Sequence, residues 1–145
     1  MARVTTEVSA PSDAVWRVLS DGWSYAAWVV GTVKIRGVDS GFPAVGTRLH
    51  HAVGAWPLLL EDETEILECD AGRRLVMQAR GWPVGEATVE LVLHPKGDRT
   101  AVEMYEEPTS GPGAWVNNRL VDAVGARRLR EALDRLRRLV EGQHT

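Results

Sequence analysis

The apolar positions of this chain change period twice. Residues 3–9, Arg3-Val4-Thr5-Thr6-Glu7-Val8-Ser9, alternate and are rich in β-branched side chains, which predicts a strand. Ala10-Pro11-Ser12-Asp13 then opens a helix. Pro11 suits the first helical position, and Asp13 suits a first turn whose free N–H groups favour an anion. Val15, Val18 and Leu19 give that helix its apolar stripe. Asp21-Gly22 stops it, and a second short helical piece is predicted over Ser24 to Trp28.

From about residue 32 the period becomes that of strands. Six are predicted: Thr32 to Val38, Gly46 to Ala55, Leu58 to Cys69, Arg74 to Arg80, Gly85 to His94 and Thr100 to Glu107. Between them stand the turn signals Asp39-Ser40-Gly41, Ala55-Trp56-Pro57, Asp70-Ala71-Gly72, Gly81-Trp82-Pro83 and Lys96-Gly97-Asp98. Connections this short predict antiparallel neighbours.

Thr109-Ser110-Gly111-Pro112-Gly113 is the one clear break, and beyond it the period returns to that of a helix, as far as about Glu141. Val121, Val124, Leu129, Leu133, Leu136 and Val140 make its apolar stripe. There is no internal repeat and no linker, so residues 1–145 read as one α+β domain. A seven-stranded antiparallel sheet with one long helix must bury that helix in the sheet's concave face. A cavity remains between the two unless large side chains fill it.

Composition narrows this picture. A chain of 145 residues buries roughly two thirds of its unfolded surface and needs no covalent staples. The lone cysteine, Cys69, excludes an intramolecular disulfide and a Cys-rich zinc site. No apolar run approaches the roughly 20 residues of a membrane span. Residues 1–6 carry no apolar signal core, so a cytoplasmic protein is expected. The net charge of −3 supplies no positive field for nucleic acid. Arg127, Arg128, Arg130, Arg135, Arg137 and Arg138 crowd the last helix, but Glu131, Asp134 and Glu141 interleave with them. A solvated flank is the expectation there, with no nucleic-acid partner. The 15 arginines against two lysines fit the codon usage of a GC-rich genome.

Alternation assigns the faces. Leu49, His51 and Val53 share one face of their strand, and Leu60, Asp62, Thr64 and Ile66 share one face of the next. Glu61, Glu63 and Glu65 point to water. A tight turn at Trp56-Pro57 pairs Ala55 with Leu58, Val53 with Leu60, His51 with Asp62 and Leu49 with Thr64. Opposed Cβ atoms lie about 4.5–5.5 Å apart, so His51 and Asp62 are candidates for an inward hydrogen-bonded pair. Asp62 would then orient the imidazole and leave its other nitrogen free, the layout of a general acid/base. The plainer alternative is a satisfied pair tying two strands together. His50 should face outward.

The same alternation turns Met77, Val89, Leu91 and Met104 inward as lining residues, followed by Glu106. A carboxylate in an apolar wall needs a partner, for which Asn117, Asn118 and Arg119 are candidates. Glu106 is read either as a cap of the last helix or as a contact for a ligand hydroxyl. Gly125 falls on the inward side of that helix, near Val121, where it leaves room for a ligand or for a packed Trp. Trp28, Trp56, Trp82 and Trp115 lie near element ends, where they would rim a cavity or fill a core, and Trp16 reads as structural. There is no GxGxxG or phosphate-loop pattern, no zinc-type histidine pair and no GxSxG elbow. Neither a cofactor nor a metal is expected.

This order of elements resembles the START-like, or SRPBCC, superfamily with its helix-grip fold. Within it the chain is most similar to the polyketide cyclase/dehydratase-like branch of actinobacteria. Ser9-Ala10-Pro11-Ser12-Asp13-Ala14-Val15-Trp16, Trp28, Gly46-Thr47-Arg48, residues Gly81 to Ala87 and Glu106-Glu107-Pro108-Thr109 carry the resemblance, which spans nearly the whole chain. It implies a pocket for one small hydrophobic ligand, cyclic or aromatic. The superfamily holds aromatase/cyclases, lipid and hormone carriers, oxygenase ligand domains and chaperone activators, and fold does not choose among them. The leading expectation is a cofactor-free cyclase/dehydratase-like enzyme in which His51 with Asp62 moves a proton. The rivals are a non-enzymatic carrier or sensor using the same pocket, and a protein–protein adaptor.

Overall fold

A computed structural model of the chain describes residues 2–30, 32–55, 58–81, 85–110 and 119–144. Of these, the side chains at 33, 53–55, 58–60, 81 and 119–122 are not described. Strand β1 (Ala2–Val8) leads into α1 (Ser12–Leu19), a 3₁₀ turn (Gly22–Ser24) and α2 (Tyr25–Trp28). Six strands follow: β2 (Thr32–Val38), β3 (Arg48–Ala55), β4 (Leu58–Asp70), β5 (Arg74–Gly81), β6 (Gly85–Lys96) and β7 (Arg99–Ser110). The last helix is α3 (Arg119–His144). The strands form one antiparallel sheet in the order β1-β7-β6-β5-β4-β3-β2. Each strand from β2 onward pairs with its successor in sequence, and β1 closes against β7. This is the helix-grip α+β arrangement that the periodicity predicts.

Local chemistry explains most boundaries. The sequence suggested Pro11 as the first helical residue of α1; it is instead the N-cap, one position earlier. It is extended at ψ 161°, and its carbonyl accepts from the N–H groups of Ala14 and Val15. Asp13 bonds the Ala14 N–H at 2.9 Å in the first turn. Gly22 does more than stop a helix. A Cβ there would lie 2.9 Å from both γ carbons of Val38 and 3.0 Å from Leu49, so its lack of a side chain lets the 3₁₀ turn sit on β2 and β3. At the β6–β7 hairpin, Gly97 takes φ +71° in a two-residue loop closed by Lys96 and Arg99. Pro95 and Pro108 lie within strands, each beyond the last residue that pairs with the strand on the other side, so neither costs a second ladder bond.

The core fills the space between the sheet's concave face and the helices. Leu75, Leu91 and Val102 of the sheet are buried together with Leu129, Leu133, Leu136 and Val140 of α3. The N-terminal part of α3 departs from the expected stripe: Val124 is 63% exposed, and Gly125 approaches β1 instead. Two tethers hold α3 and the sheet edge. Glu141 Oε2 accepts from the Ser9 N–H at 2.9 Å, and the buried Thr100 hydroxyl donates to the Ala10 carbonyl at 2.9 Å. On the convex face charges alternate across strands. Arg48 meets Glu63 and Glu65, Arg36 meets Glu61, and Arg74 meets Glu68 and Glu90.

Candidate functional site

The β3–β4 hairpin pairs as the tight turn predicts: Ala55 with Leu58, Val53 with Leu60, His51 with Asp62 and Leu49 with Thr64. His51 is therefore on the concave face beside Leu49, both buried, while His50 turns to the convex face and meets Asp39 at 2.9 Å and Glu63 at 3.6 Å. His50 and the Arg48 N–H together hold the Asp39 carboxyl below its ordinary range.

The predicted His51–Asp62 hydrogen bond does not form. His51 Nε2 bonds the Thr64 hydroxyl at 3.0 Å, and Asp62 Oδ1 accepts from the Glu63 N–H at 2.9 Å. Thr64 is the diagonal neighbour, two residues along β4, and strand twist brings it within reach. The register was readable from the turn; the choice between the opposed and the diagonal partner was not. Thr64, taken from sequence as lining, is the polar partner of the ring. Asp62 stays half-buried on the same face and acts on His51 only through its charge. Burial holds the imidazole below the usual histidine range, Asp62 pulls it back up, and Arg36 and His50 push it down again. The ring is therefore neutral at neutral pH. Its Nδ1 is buried with no partner among the described residues.

Cross-strand rows place the other predicted residues. Ile66, Met77, Val89, Glu106 and Ala2 stand side by side across β4, β5, β6, β7 and β1. Leu75, Leu91 and Met104 make the next row, toward the dry end. In the other direction lie Leu49, Thr64, Ala79 and Ala87, of which the last three approach the site with short side chains. Ala79 and Ala87 are half-buried, whereas Met77, Val89, Leu91 and Met104 are buried. A patch of low side-chain bulk thus adjoins His51, and water reaches part of it.

Glu106 is inward as expected, but its partner is Arg128 of α3, nearly three turns beyond the predicted helix start. Among the described residues, Gly125 meets β1. A Cβ there would lie 3.3 Å from the Cβ of Ala2, so the glycine sets how closely α3 approaches β1. Gly125 and the Arg128–Glu106 pair, one helical turn apart, pin α3 across β1 and β7. Trp28 is core and not rim: it is 1% exposed and packs at 4.7 Å on Tyr25, which anchors α2 by donating to the Leu19 carbonyl at 2.7 Å. Among the described residues, the Trp28 indole N–H is the other buried side-chain polar group with no partner. Trp56, Trp82, Trp115, Asn117 and Asn118 lie outside the described residues, as do the side chains of Val53, Leu60, Arg119 and Val121.

Among the described residues no group of three or more His, Cys, Asp or Glu could hold a metal, and no helix is long and apolar enough to cross a membrane. Three arginines of α3 pair within the helix: Arg135 with Glu131, Arg137 with Asp134 and Glu141, and Arg138 with Asp134.

Solved structures share this fold. Protein NE0264 from Nitrosomonas europaea superposes with a TM-score of 0.70 at 16% identity, covering 97% of this chain and 94% of that one. CalU16 from Micromonospora echinospora gives 0.67 at 21% identity, over 97% of this chain and 76% of that one. The di-domain ARO/CYC BexL from the BE-7585A biosynthetic pathway gives 0.71 at 21% identity; 97% of this chain covers 46% of it, about half its length. The chain matches none of the curated proteins compared with it. Residues 1–141 match the family described as polyketide cyclase / dehydrase and lipid transport, and the chain belongs to that family.

Proposed function

We propose that this protein binds one small hydrophobic ligand, aromatic or polyketide-like, between the concave sheet face and α3, and that His51 acts on it as an acid/base. One observation carries the reading: His51 is buried on the concave face, held through Nε2, with Nδ1 unpartnered. An unsatisfied buried polar atom costs about 1–3 kcal/mol, which a ligand group could recover. The unpartnered indole N–H of Trp28, on a helix that packs against both β2 and α3, is a second such atom in the same layer. The family and the aromatase/cyclase neighbour support the same class of ligand.

With its proton on Nε2, donated to Thr64, neutral His51 offers the Nδ1 lone pair. Nδ1 would take a proton from a carbon between two carbonyls of the bound chain, and the enolate would attack a second carbonyl to close a ring. The imidazolium would return that proton to the new alkoxide, giving a β-hydroxy ketone. His51 would then take the remaining proton from the same carbon and pass it to the departing hydroxyl, so that the C=C forms as water leaves. No oxidant is needed, and the atoms balance as substrate to enone plus water. Asp62 would stabilise the transient imidazolium by charge, without touching the ring. Holding the chain folded away from water would supply much of the acceleration.

A non-enzymatic carrier using the same pocket is the second reading, favoured by the lipid-transport side of the family. Native mass spectrometry of the purified protein, beside a denatured extract, tests the shared premise. A co-purified hydrophobic molecule is expected, and its structure gives the substrate class. His51→Ala then separates the readings. Lost turnover with retained binding supports the enzyme, and unchanged turnover ends the assignment to His51.

A further inference from the structure

We infer that the ligand meets His51 through one uncharged oxygen, a hydroxyl or a carbonyl, and that the site rejects carboxylates. This rests on the ligand-binding reading above and specifies its chemistry. The Thr64 hydroxyl, 3.0 Å from Nε2, fixes the ring, so Nδ1 is the atom left for a ligand. A neutral imidazole provides one donor or one acceptor and no charge. Among the described residues, the cation that α3 brings to this face is Arg128, which is already bonded to Glu106. Arg36, whose Nε reaches the His51 carbonyl at 3.5 Å, is paired with Glu61. Asp62, opposite His51 in the register and on the same face, presents a like charge to any incoming carboxylate. An anion entering here would lose its water and gain no unpaired cation among the described residues, whereas a phenol, enol or ketone oxygen would find a partner in Nδ1.

Calorimetric titration of the full chain at neutral pH with 2-naphthol, 2-naphthoate and 2-naphthylmethylammonium tests this on one ring system. The expected result is that naphthol binds about ten-fold or more tighter than either ion, and that His51→Phe erases most of the preference. Thr64→Val, which keeps the imidazole but frees it to turn, should narrow the preference without abolishing it. His51→Gln replaces His51→Phe if the larger ring prevents folding, and the wild-type comparison decides the question in either case. Naphthoate binding as tightly as naphthol would overturn the inference and leave the pocket standing. Tightest binding of the ammonium would make Asp62 the contact and overturn it too. Binding of none of the three would remove both the inference and the reading beneath it.

Discussion

The two ends of the concave face share strands β5 and β6 and differ in side-chain size. At the dry end, Leu75, Leu91 and Met104 form one cross-strand row, and Leu93 and Val102 form the next; all are buried with Leu129, Leu133 and Leu136 of α3. At the other end the row is Thr64, Ala79 and Ala87, with His51 and Asp62 one step beyond it. Leu49 of the same row is buried there with Thr64 and His51, and the alanines and Asp62 are half-exposed. Leucine rows close a sheet onto its helix, and alanine rows leave volume over it. One end therefore supplies stability, and the other sets short side chains beside a polar atom that nothing in the described chain satisfies.

Truncation at the dry end should give the largest effect. Leu133 is fully buried, and Leu133→Ala should cost about 2–5 kcal/mol in urea unfolding. Gly22 borders the other end, where Val38 and Leu49 leave a Cβ no space, and Gly22→Ala should cost about 1–3 kcal/mol by overpacking. Ala79→Leu should invert the pattern. Its stability should stay within about 1 kcal/mol of the parent, because the new side chain meets half-exposed space, while naphthol affinity falls sharply. A loss at Ala79 as large as that at Leu133 would show that both ends are equally closed, and the comparison would fail.

Much of this was readable in the sequence because strand period and turn length are local. Pairing Ala55 with Leu58 was enough to predict the β3–β4 register, and the alternation of Glu61, Glu63 and Glu65 placed His51 inside. What could not be read depends on how elements meet. Whether His51 bonds its opposed or its diagonal neighbour turns on sheet twist, so Asp62 was chosen and Thr64 was missed as its partner. Gly125 signalled close approach, but that Ala2 is what it approaches depends on where α3 crosses the sheet. Val124 sat plausibly in a helical stripe, yet the helix face that meets β1 is one residue further on. Glu106 was correctly placed inward, and its partner was sought at the helix start because chain proximity was the only guide to α3.

The smallest expected effect is also the most direct probe of the polar end. Burial lowers the native affinity of His51 for a proton, against the pull of Asp62 and Glu63. Between that lowered value and the ordinary histidine value, the unfolded chain binds the proton and the native protein does not. Stability must then rise with pH through this window and be lost as pH falls through it. His51→Gln removes the linkage while leaving an amide that can still reach the Thr64 hydroxyl. Urea midpoints measured from neutral to mildly acidic pH should therefore slope less in the variant than in the parent. The paired carboxylates of Asp39 and Glu103, both held below their ordinary range, contribute at lower pH and should remain in both proteins. Saturating the parent with naphthol should steepen its slope, because a ligand on Nδ1 favours the neutral ring and opposes protonation further. Equal slopes in parent and variant would mean that water already reaches His51. The His51 end of the face would then be a wet rim, and the contrast with the leucine end would be one of exposure and not of a built polar contact.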